Sequence, residues 1–223
     1  MDDQLQIPRE MSSFREIFET GEWDGLCELM ERDMRADPSV RLSKREIWGD
    51  VPALLSKNYI QGDISLFMAA TVGHVEAVDL LVSLGAPLDA RHGGWTPLIF
   101  AAHFNHPEVV MRLIHHGADL SVFNDENRTA LYVAVWEGLS EIVELLIAAG
   151  SPMDDQDING KTALHQAAEC TSGNAQLLLA AGASPSIQDD WGNSPLHLAA
   201  RKNMPDVVRA LAPVTDLNLV GTN

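Results

Sequence analysis

The chain has 223 residues, of which 46% are hydrophobic and only 6% aromatic. It is therefore long enough to bury a substantial core, and its composition suits close-packed helices better than a β-sandwich. A formal charge of -17 repels nucleic-acid backbones and anionic membrane surfaces, which excludes both as expected partners. The same charge favours a basic protein or peptide partner, or it serves only to keep the protein in solution.

The two cysteines, Cys27 and Cys170, lie far apart and in no metal-binding spacing. They predict neither a disulfide framework nor a zinc site, and a reducing compartment fits them best. The first residues lack the basic and apolar parts of a signal peptide, and no apolar run reaches the length of a membrane span. We expect a monomeric cytoplasmic protein without a cofactor, and the nucleus is an alternative location.

The first predicted elements are helices near the N-terminus. Ser13 and Glu16 form a capping-box pattern, in which each side chain bonds a free N–H of the helix start. Ser43 and Glu46 form a second such pattern and open an inserted helical segment. The two predicted units are residues 1–35 and 36–58.

A five-residue motif recurs along the rest of the chain and predicts the start of a helix each time. Thr96, Thr129 and Thr162 at its centre are spaced by 33 residues, and Ser194 takes this position in the last copy. A threonine or serine hydroxyl there caps a helix, and proline suits the next position because that N–H is unsatisfied anyway. The copies are Gly94-Trp95-Thr96-Pro97-Leu98, Asn127-Arg128-Thr129-Ala130-Leu131, Gly160-Lys161-Thr162-Ala163-Leu164 and Gly192-Asn193-Ser194-Pro195-Leu196.

Each motif is followed by a small-residue pair, a leucine-rich stretch and a glycine. The pairs Ala101-Ala102 and Ala199-Ala200 are predicted to lie where two helices cross closely, and Leu145-Leu146 to fill the core between repeats. The glycines supply the left-handed backbone that ends the second helix of each repeat. These glycines are Gly85, Gly117, Gly150 and Gly182.

This recurrence resembles the ankyrin repeat, whose period is about 33 residues. The resemblance implies an all-α repeat protein, a solenoid of helix-turn-helix units joined by β-hairpin loops. It places five repeats over residues 59–220, makes residues 1–35 a degenerate capping repeat, and lets residues 216–223 begin a further hairpin or form the C-terminal end. The fourth repeat lacks one residue between Ala168 and Leu178, so its inter-helix loop should be displaced. The repeats span residues 59–90, 91–123, 124–156, 157–188 and 189–220.

The resemblance also implies where a ligand would bind. Ankyrin repeats usually meet ligands in a concave groove, with hairpin residues and residues just after the alanine pair. We therefore expect a non-enzymatic interaction module whose groove holds a protein or peptide, with carboxylates orienting a basic partner. An apolar strip in this groove would be formed by Trp95, Phe104, Trp136 and Trp191. It would supply binding energy, since tryptophan is enriched among binding hot spots. The predicted partner-binding residues are His92, Trp95, His103, Phe104, Glu126, Arg128, Trp136, Glu137, Lys161, Asp190, Trp191 and Arg201.

The sequence contains a few patterns that are typical of metal or catalytic sites. His103 and His106 have a metal-like spacing, but no further ligand is evident nearby, so no metal site is predicted. The stretch Asp155–Gly160 imitates the start of a calcium loop, whose last ligand position holds Gln166 instead of glutamate. No nucleophile or phosphate-binding motif occurs, so no catalytic residue is predicted. By analogy with the family, the structural histidines are His74, His106, His165 and His197.

Two alternative functions remain open. In the first, the groove binds a small molecule or acts as an atypical enzyme, with His103 as acid or base beside the tryptophans and segment 36–58 closing over the ligand. In the second, the chain is a scaffold or targeting portion of a longer protein. A structural alternative for the tryptophan rings is that they pack against neighbouring hairpins rather than facing a partner.

Overall fold

The structure, a computed structural model, describes residues 62–83, 85–170 and 173–215. These residues belong to one compact unit that begins at Gly62. The predicted units that lie outside them are the capping helices 1–35, the inserted segment 36–58 and the last hairpin 216–223. The shortened loop of the fourth repeat is described only up to Cys170 and again from Gly173.

The described residues form ten helices, arranged as five consecutive inner and outer pairs. The inner helices are α1 (Gly62–Val72), α3 (Pro97–His103), α5 (Ala130–Trp136), α7 (Ala163–Ala168) and α9 (Pro195–Arg201). The outer helices are α2 (Val75–Ser83), α4 (Pro107–His115), α6 (Ser140–Ala148), α8 (Asn174–Ala180) and α10 (Pro205–Leu211). In the part of the chain that the structure describes, no helix combines the length and the apolar character that crossing a membrane requires.

Three inner helices begin at the threonine caps that the motif predicts. The Oγ1 atom of Thr96 accepts the backbone N–H of Ile99 at 3.3 Å. Thr129 and Thr162 accept the N–H three residues on at 3.3 and 3.4 Å. Each hydroxyl satisfies an N–H that the first helical turn cannot satisfy itself, so the recurring motif fixes where the helices start.

The helices pack in two layers, because each inner helix contacts the next inner helix and each outer helix the next outer one. Ala101 and Ala102 are fully buried at the inner crossings, and Leu146 is fully buried beneath the outer layer. Burial of one such leucine stabilises the fold by about 2 kcal/mol. Two sequence predictions fail here: Leu145 is only half-buried, and Ala200 is exposed because no inner helix follows α9 among the described residues.

The loops between repeats are hydrogen-bonded hairpin turns rather than regular strands in the described residues. The backbone N–H of Asp157 donates to the carbonyl of Lys161 at 2.8 Å, and the hairpins that open at Asn124 and Asp189 close in the same way. The hairpin of the second repeat closes instead between His92 and Trp95, at 2.9 and 3.0 Å. The turn position of Gly160 has φ 72°, and Asn127 takes the equivalent position at φ 56°. Asparagine tolerates this left-handed region better than most residues, as the sequence predicted.

Candidate functional site

The first feature of the candidate site is the residue that opens each hairpin. One carboxylate oxygen of Asp157 accepts the backbone N–H groups of Asn159 and Lys161, both at 2.9 Å. Asn124 and Asp189 accept the N–H groups two and four residues on in the same way. This bonding accounts for the calcium-like stretch at Asp157, because the carboxylate holds the turn of its own hairpin.

Neighbouring hairpins are also joined to one another. The N–H of Ile158 donates to the carbonyl of Glu126, and the N–H of Asp190 donates to the carbonyl of Asn159, each at 3.1 Å. These bonds run from the third repeat to the fifth. They fix the register of the hairpins, so side chains at equivalent positions form rows across the repeats.

In the second to fourth repeats, the returning limb of the hairpin contacts the end of its own inner helix, eight positions further along the chain. In the second repeat the rings of Trp95 and His103 meet edge to face, with centroids 5.3 Å apart. In the third repeat the guanidinium of Arg128 lies 4.1 Å from the ring centre of Trp136. We call the surface formed by the hairpins and the inner helix ends the hairpin face.

The second repeat contributes an aromatic cluster to the hairpin face. Phe100 lies between Phe67 and Trp95, with ring centroids 4.1 and 5.0 Å away, and Phe104 stacks on it at 5.9 Å. His103 contacts the ring of Phe104 as well as that of Trp95. All these rings except the buried Phe67 are half-buried, so Trp95 and Phe104 pack mainly against their own chain.

His92 and His103 complete this cluster. The His92 ring lies 4.9 Å from that of Phe67. The Nδ1 atom of His103 lies 3.0 Å from a carboxylate oxygen of Glu137, although the two groups are not aligned for a hydrogen bond. A protonated His103 would therefore form an ion pair that links the second repeat to the third.

The third repeat is organised around Arg128. Its guanidinium pairs with Glu126 at 2.9 Å, and its Nε atom lies 3.8 Å from the buried carboxylate of Asp157. Tyr132 donates its hydroxyl to the same carboxylate at 3.1 Å. Burial, followed by the negative charge of Asp157, raises the pKa of Tyr132 well above its usual value, so the phenol stays protonated. Arg128 thus supports the ring of Trp136 from within the chain.

The fourth and fifth repeats share one carboxylate. Glu169 lies 3.0 Å from the ammonium of Lys161 and 3.4 Å from the guanidinium of Arg201. Lys161 and Glu169 are largely buried, whereas 59% of the Arg201 side chain is exposed. The carboxylates of Glu126, Glu137 and Glu169 therefore all contact cations or imidazole of the same chain.

Exposure divides the predicted apolar strip. Trp136 is 46% exposed and Trp191 is 51% exposed, and Ile158 at the neighbouring hairpin tip is 57% exposed. Trp95 and Phe104, by contrast, lie in the aromatic cluster. The hairpin face of the third to fifth repeats is thus the part of the strip that presents large apolar side chains to solvent.

Comparison with known proteins decides the family. The family model described as ankyrin repeats (three copies) matches residues 49–124, 66–157 and 131–220, which together make up most of the chain. The chain belongs to the ankyrin-repeat family. Ankyrin repeats generally mediate protein–protein interactions.

Curated relatives resemble the ankyrin segment of this chain only. The NAD-capped RNA hydrolase NUDT12 of Homo sapiens is 41% identical over 61 residues, which cover 27% of this chain and 13% of that protein. The putative palmitoyltransferase ZDHHC13 of Danio rerio is 34% identical over 106 residues, 47% of this chain and 16% of the relative. The RelA-associated inhibitor of Mus musculus is 35% identical over 99 residues, 43% of this chain and 12% of the relative. The chain therefore spans less than a fifth of these proteins.

The histidines at ankyrin motif positions hold the backbone. His165 is fully buried, its Nδ1 accepts the backbone N–H of Thr162 at 3.1 Å, and its Nε2 donates to the carbonyl of Asn193 at 3.0 Å. The Nε2 of His106 likewise donates to the carbonyl of Thr71 at 2.8 Å. Within the described ranges no group of three or more histidine, cysteine or acidic side chains is arranged to hold a metal ion.

Two residues that belong to the hairpin face or lie beneath it escaped prediction from the sequence. Arg91 occupies the hairpin-opening position that holds Asn124 in the next repeat, and its guanidinium instead donates to the carbonyl of Gly94 at 3.1 Å and to Asp125 at 2.9 Å. Tyr132 is buried beside Asp157. Alignment of the repeats could have identified Arg91, because a basic residue stands at the hairpin-opening position where the other repeats have a hydrogen-bond acceptor.

Proposed function

We propose that this ankyrin protein is a non-enzymatic module that binds a protein or peptide partner on its hairpin face, at the third to fifth repeats. The observation that carries the proposal is the exposure of Trp136 and Trp191 on that face. Large aromatic side chains are enriched among the residues that dominate binding energies, because they bury a large apolar area when a partner covers them.

The support beneath these rings favours binding. Trp136 rests on Arg128, which is held by Glu126, and Trp191 lies in a hairpin bonded to its neighbour. A surface ordered before the partner arrives loses less conformational entropy on association. The name of the RelA-associated inhibitor says that this relative associates with RelA, in keeping with an interaction role for the repeats.

The charge expected of the partner depends on long-range attraction by the whole protein and on close contacts at the hairpin face. The net charge of -17 favours basic partners through long-range steering. Exposed carboxylates on the outer helices, such as Glu108, Glu141 and Glu144, contribute to this field. Those of Glu126, Glu137 and Glu169 on the hairpin face contact their own chain instead. The preference for a basic partner therefore comes from long-range attraction during encounter and not from carboxylates on the hairpin face.

The setting of the module is part of the proposal. The relatives that the chain matches are much longer proteins, so a scaffold or targeting role within a longer chain is compatible with binding on the hairpin face. The low cysteine content favours a cytoplasmic or nuclear compartment.

The test replaces the exposed tryptophans and compares the partners recovered from cell extract. Trp136→Ala and Trp191→Ala should each lower recovery of specific partners by about tenfold or more, as expected for hot-spot residues. Met111→Ala is the matched control, since Met111 is 49% exposed but lies on outer helix α4. An unchanged partner list in the folded tryptophan variants would refute the assignment of the binding face.

A further inference from the structure

The fifth repeat departs from the pairing seen in the others. In the second to fourth repeats, the returning limb of the hairpin contacts the residue eight positions on. The equivalent pair in the fifth repeat is Asn193 and Arg201, but the Asn193 amide donates to both carboxylate oxygens of Asp189, at 3.1 and 3.2 Å. Among the described residues of its own repeat, Arg201 therefore has no partner, and it reaches back to the fourth repeat.

Within the described ranges, the contact that Arg201 makes leaves most of its N–H donors without a partner. One nitrogen lies 3.4 Å from Glu169, whose other oxygen is taken by Lys161 at 3.0 Å. A guanidinium has five N–H donors in a planar fork, and a single long contact uses one of them. Lys202, the next residue, is exposed and has no ion-pair partner among the described residues. Arg201 thus faces solvent beside a carboxylate that is already shared, and a second cation is exposed at the next position of the chain.

An exposed aromatic ring belongs to the same repeat. Trp191 is 51% exposed in the fifth hairpin, which is bonded to the fourth hairpin through the N–H of Asp190. The Asp190 side chain is exposed at this hairpin, and Asp206 on the outer helix pairs with Arg209 at 2.9 Å. We call the surface of Trp191, Arg201 and Lys202 the repeat-five end of the hairpin face.

We infer that the repeat-five end binds an acidic segment of the partner protein, with a carboxylate on Arg201 and Lys202 and an adjacent apolar side chain on Trp191. The inference rests on the proposed function and specifies the chemistry of its partner. Charge complementarity carries it: elsewhere on the hairpin face the cations Arg128 and Lys161 are largely buried against their own carboxylates. Only a carboxylate matches the planar donor fork of Arg201 in a bidentate geometry among common protein side chains.

This local preference is compatible with the overall acidity of the protein. Net charge acts over distances of about 8 to 10 Å at physiological salt, and it changes the rate of encounter more than the strength of close contacts. The partner can therefore be basic as a whole and still present a carboxylate at the contact.

The test selects a random peptide library displayed on phage against the full chain. Peptides that carry Asp or Glu next to an aromatic or aliphatic residue should be enriched. The double variant Arg201→Gln with Lys202→Gln should lose this enrichment, and a selected peptide should bind it about tenfold more weakly. Arg209→Gln is the matched control, because it removes a cation that is also exposed, at 78%, but lies on outer helix α10.

A second measurement isolates the contact. The selected peptide and its Glu-to-Gln form are compared by fluorescence anisotropy on the native chain and on the double variant. The inference requires the Gln peptide to lose affinity for the native chain only. Enrichment of Lys or Arg peptides that depend on Trp191 would overturn the acidic segment but leave the proposed function intact. Selection of no peptide, or of peptides indifferent to both Trp136→Ala and Trp191→Ala, would overturn both.

Discussion

His165 shows how a single motif residue ties two repeats together. Its ring closes the cap of helix α7 through Thr162 and also donates to the carbonyl of Asn193 in the next hairpin. The ring can make both bonds only when it is neutral, with its proton on Nε2. Burial, the largest effect, lowers the pKa of His165 below its usual value.

The buried ring gives the protein a specific sensitivity to acid. Because the folded-state pKa lies below the unfolded value of about 6.5, the unfolded chain takes up the proton first. The contribution of His165 to stability is therefore full above that pH and falls as the pH is lowered below it. His165→Gln, although less stable near neutrality, should show a flatter fall in the free energy of unfolding with pH in urea titrations.

The control for this measurement is His197→Gln. His197 occupies the same motif position in the fifth repeat, and its Nδ1 accepts the N–H of Ser194 at 3.1 Å, but its ring is only half-buried. Its replacement removes the same kind of cap contact from a half-buried position, so this variant reports the loss of that contact. Equal slopes for native protein and His165→Gln would show that the buried ring does not govern acid stability.

Residue-level prediction succeeded where the chemistry is local. A cap hydroxyl acts on the N–H three residues away, so Thr96, Thr129 and Thr162 could be assigned from the sequence alone. The exposure of a tryptophan depends on the side chain that it contacts eight positions away and on those of the neighbouring repeat. Trp95 meets His103 and the aromatic cluster and is half-buried, whereas Trp136 lies over Arg128 and is exposed. The two rings occupy different positions of the repeat, since Trp95 corresponds to Arg128 and Trp136 to His103, and the motif does not reveal what lies next to each position.

At the level of elements, the hairpins depend on close approach between repeats. Gly160 has φ 72°, and a Cβ atom built there would lie 2.8 Å from the backbone nitrogen of Asp190 in the next hairpin. Gly182, which ends helix α8, has φ 98° and open space around it. The first glycine is required by both conformation and contact, the second by conformation alone.

These two glycines allow the inter-hairpin contact to be measured separately from backbone strain. Gly182→Ala should lower the free energy of unfolding by about 1 to 2 kcal/mol, the cost of a left-handed L-residue. Gly160→Ala should cost at least about 1 kcal/mol more, because the hairpins must also move apart. Denaturant unfolding measures the free energy of unfolding of both variants. An equal decrease in the two would contradict the close contact between hairpins as a source of stability.

The elements themselves were largely predictable, because helix pairs, glycine turns and hairpins repeat with the motif. The exceptions are residues whose motif predicts burial but which lie at the margin of a helix layer. Ala200 has the sequence of a buried pair, yet no described inner helix covers it, and Leu145 lies at the margin of the outer layer. Burial at such positions is decided by neighbouring elements, which a motif within one repeat does not encode.

At the scale of the whole molecule, an acidic chain presents a hairpin face whose charges are mostly matched internally. Composition predicted the acidic surface, but it could not reveal that Glu126, Glu137 and Glu169 contact Arg128, His103 and Lys161. This face exposes the rings of Trp136 and Trp191 and the side chain of Ile158, and the fifth repeat adds exposed cations beside the carboxylate of Asp190. The partner should therefore recognise rings first and charge second.

Hydroxyl-radical footprinting of the chain with and without its captured partner tests the proposed binding face most directly. Trp136 and Trp191 are exposed and readily oxidised when free, as is Met111 on the outer layer. We predict that the partner protects both tryptophans from oxidation and leaves Met111 unchanged. Protection of Met111 with undiminished oxidation of Trp136 and Trp191 would contradict the account.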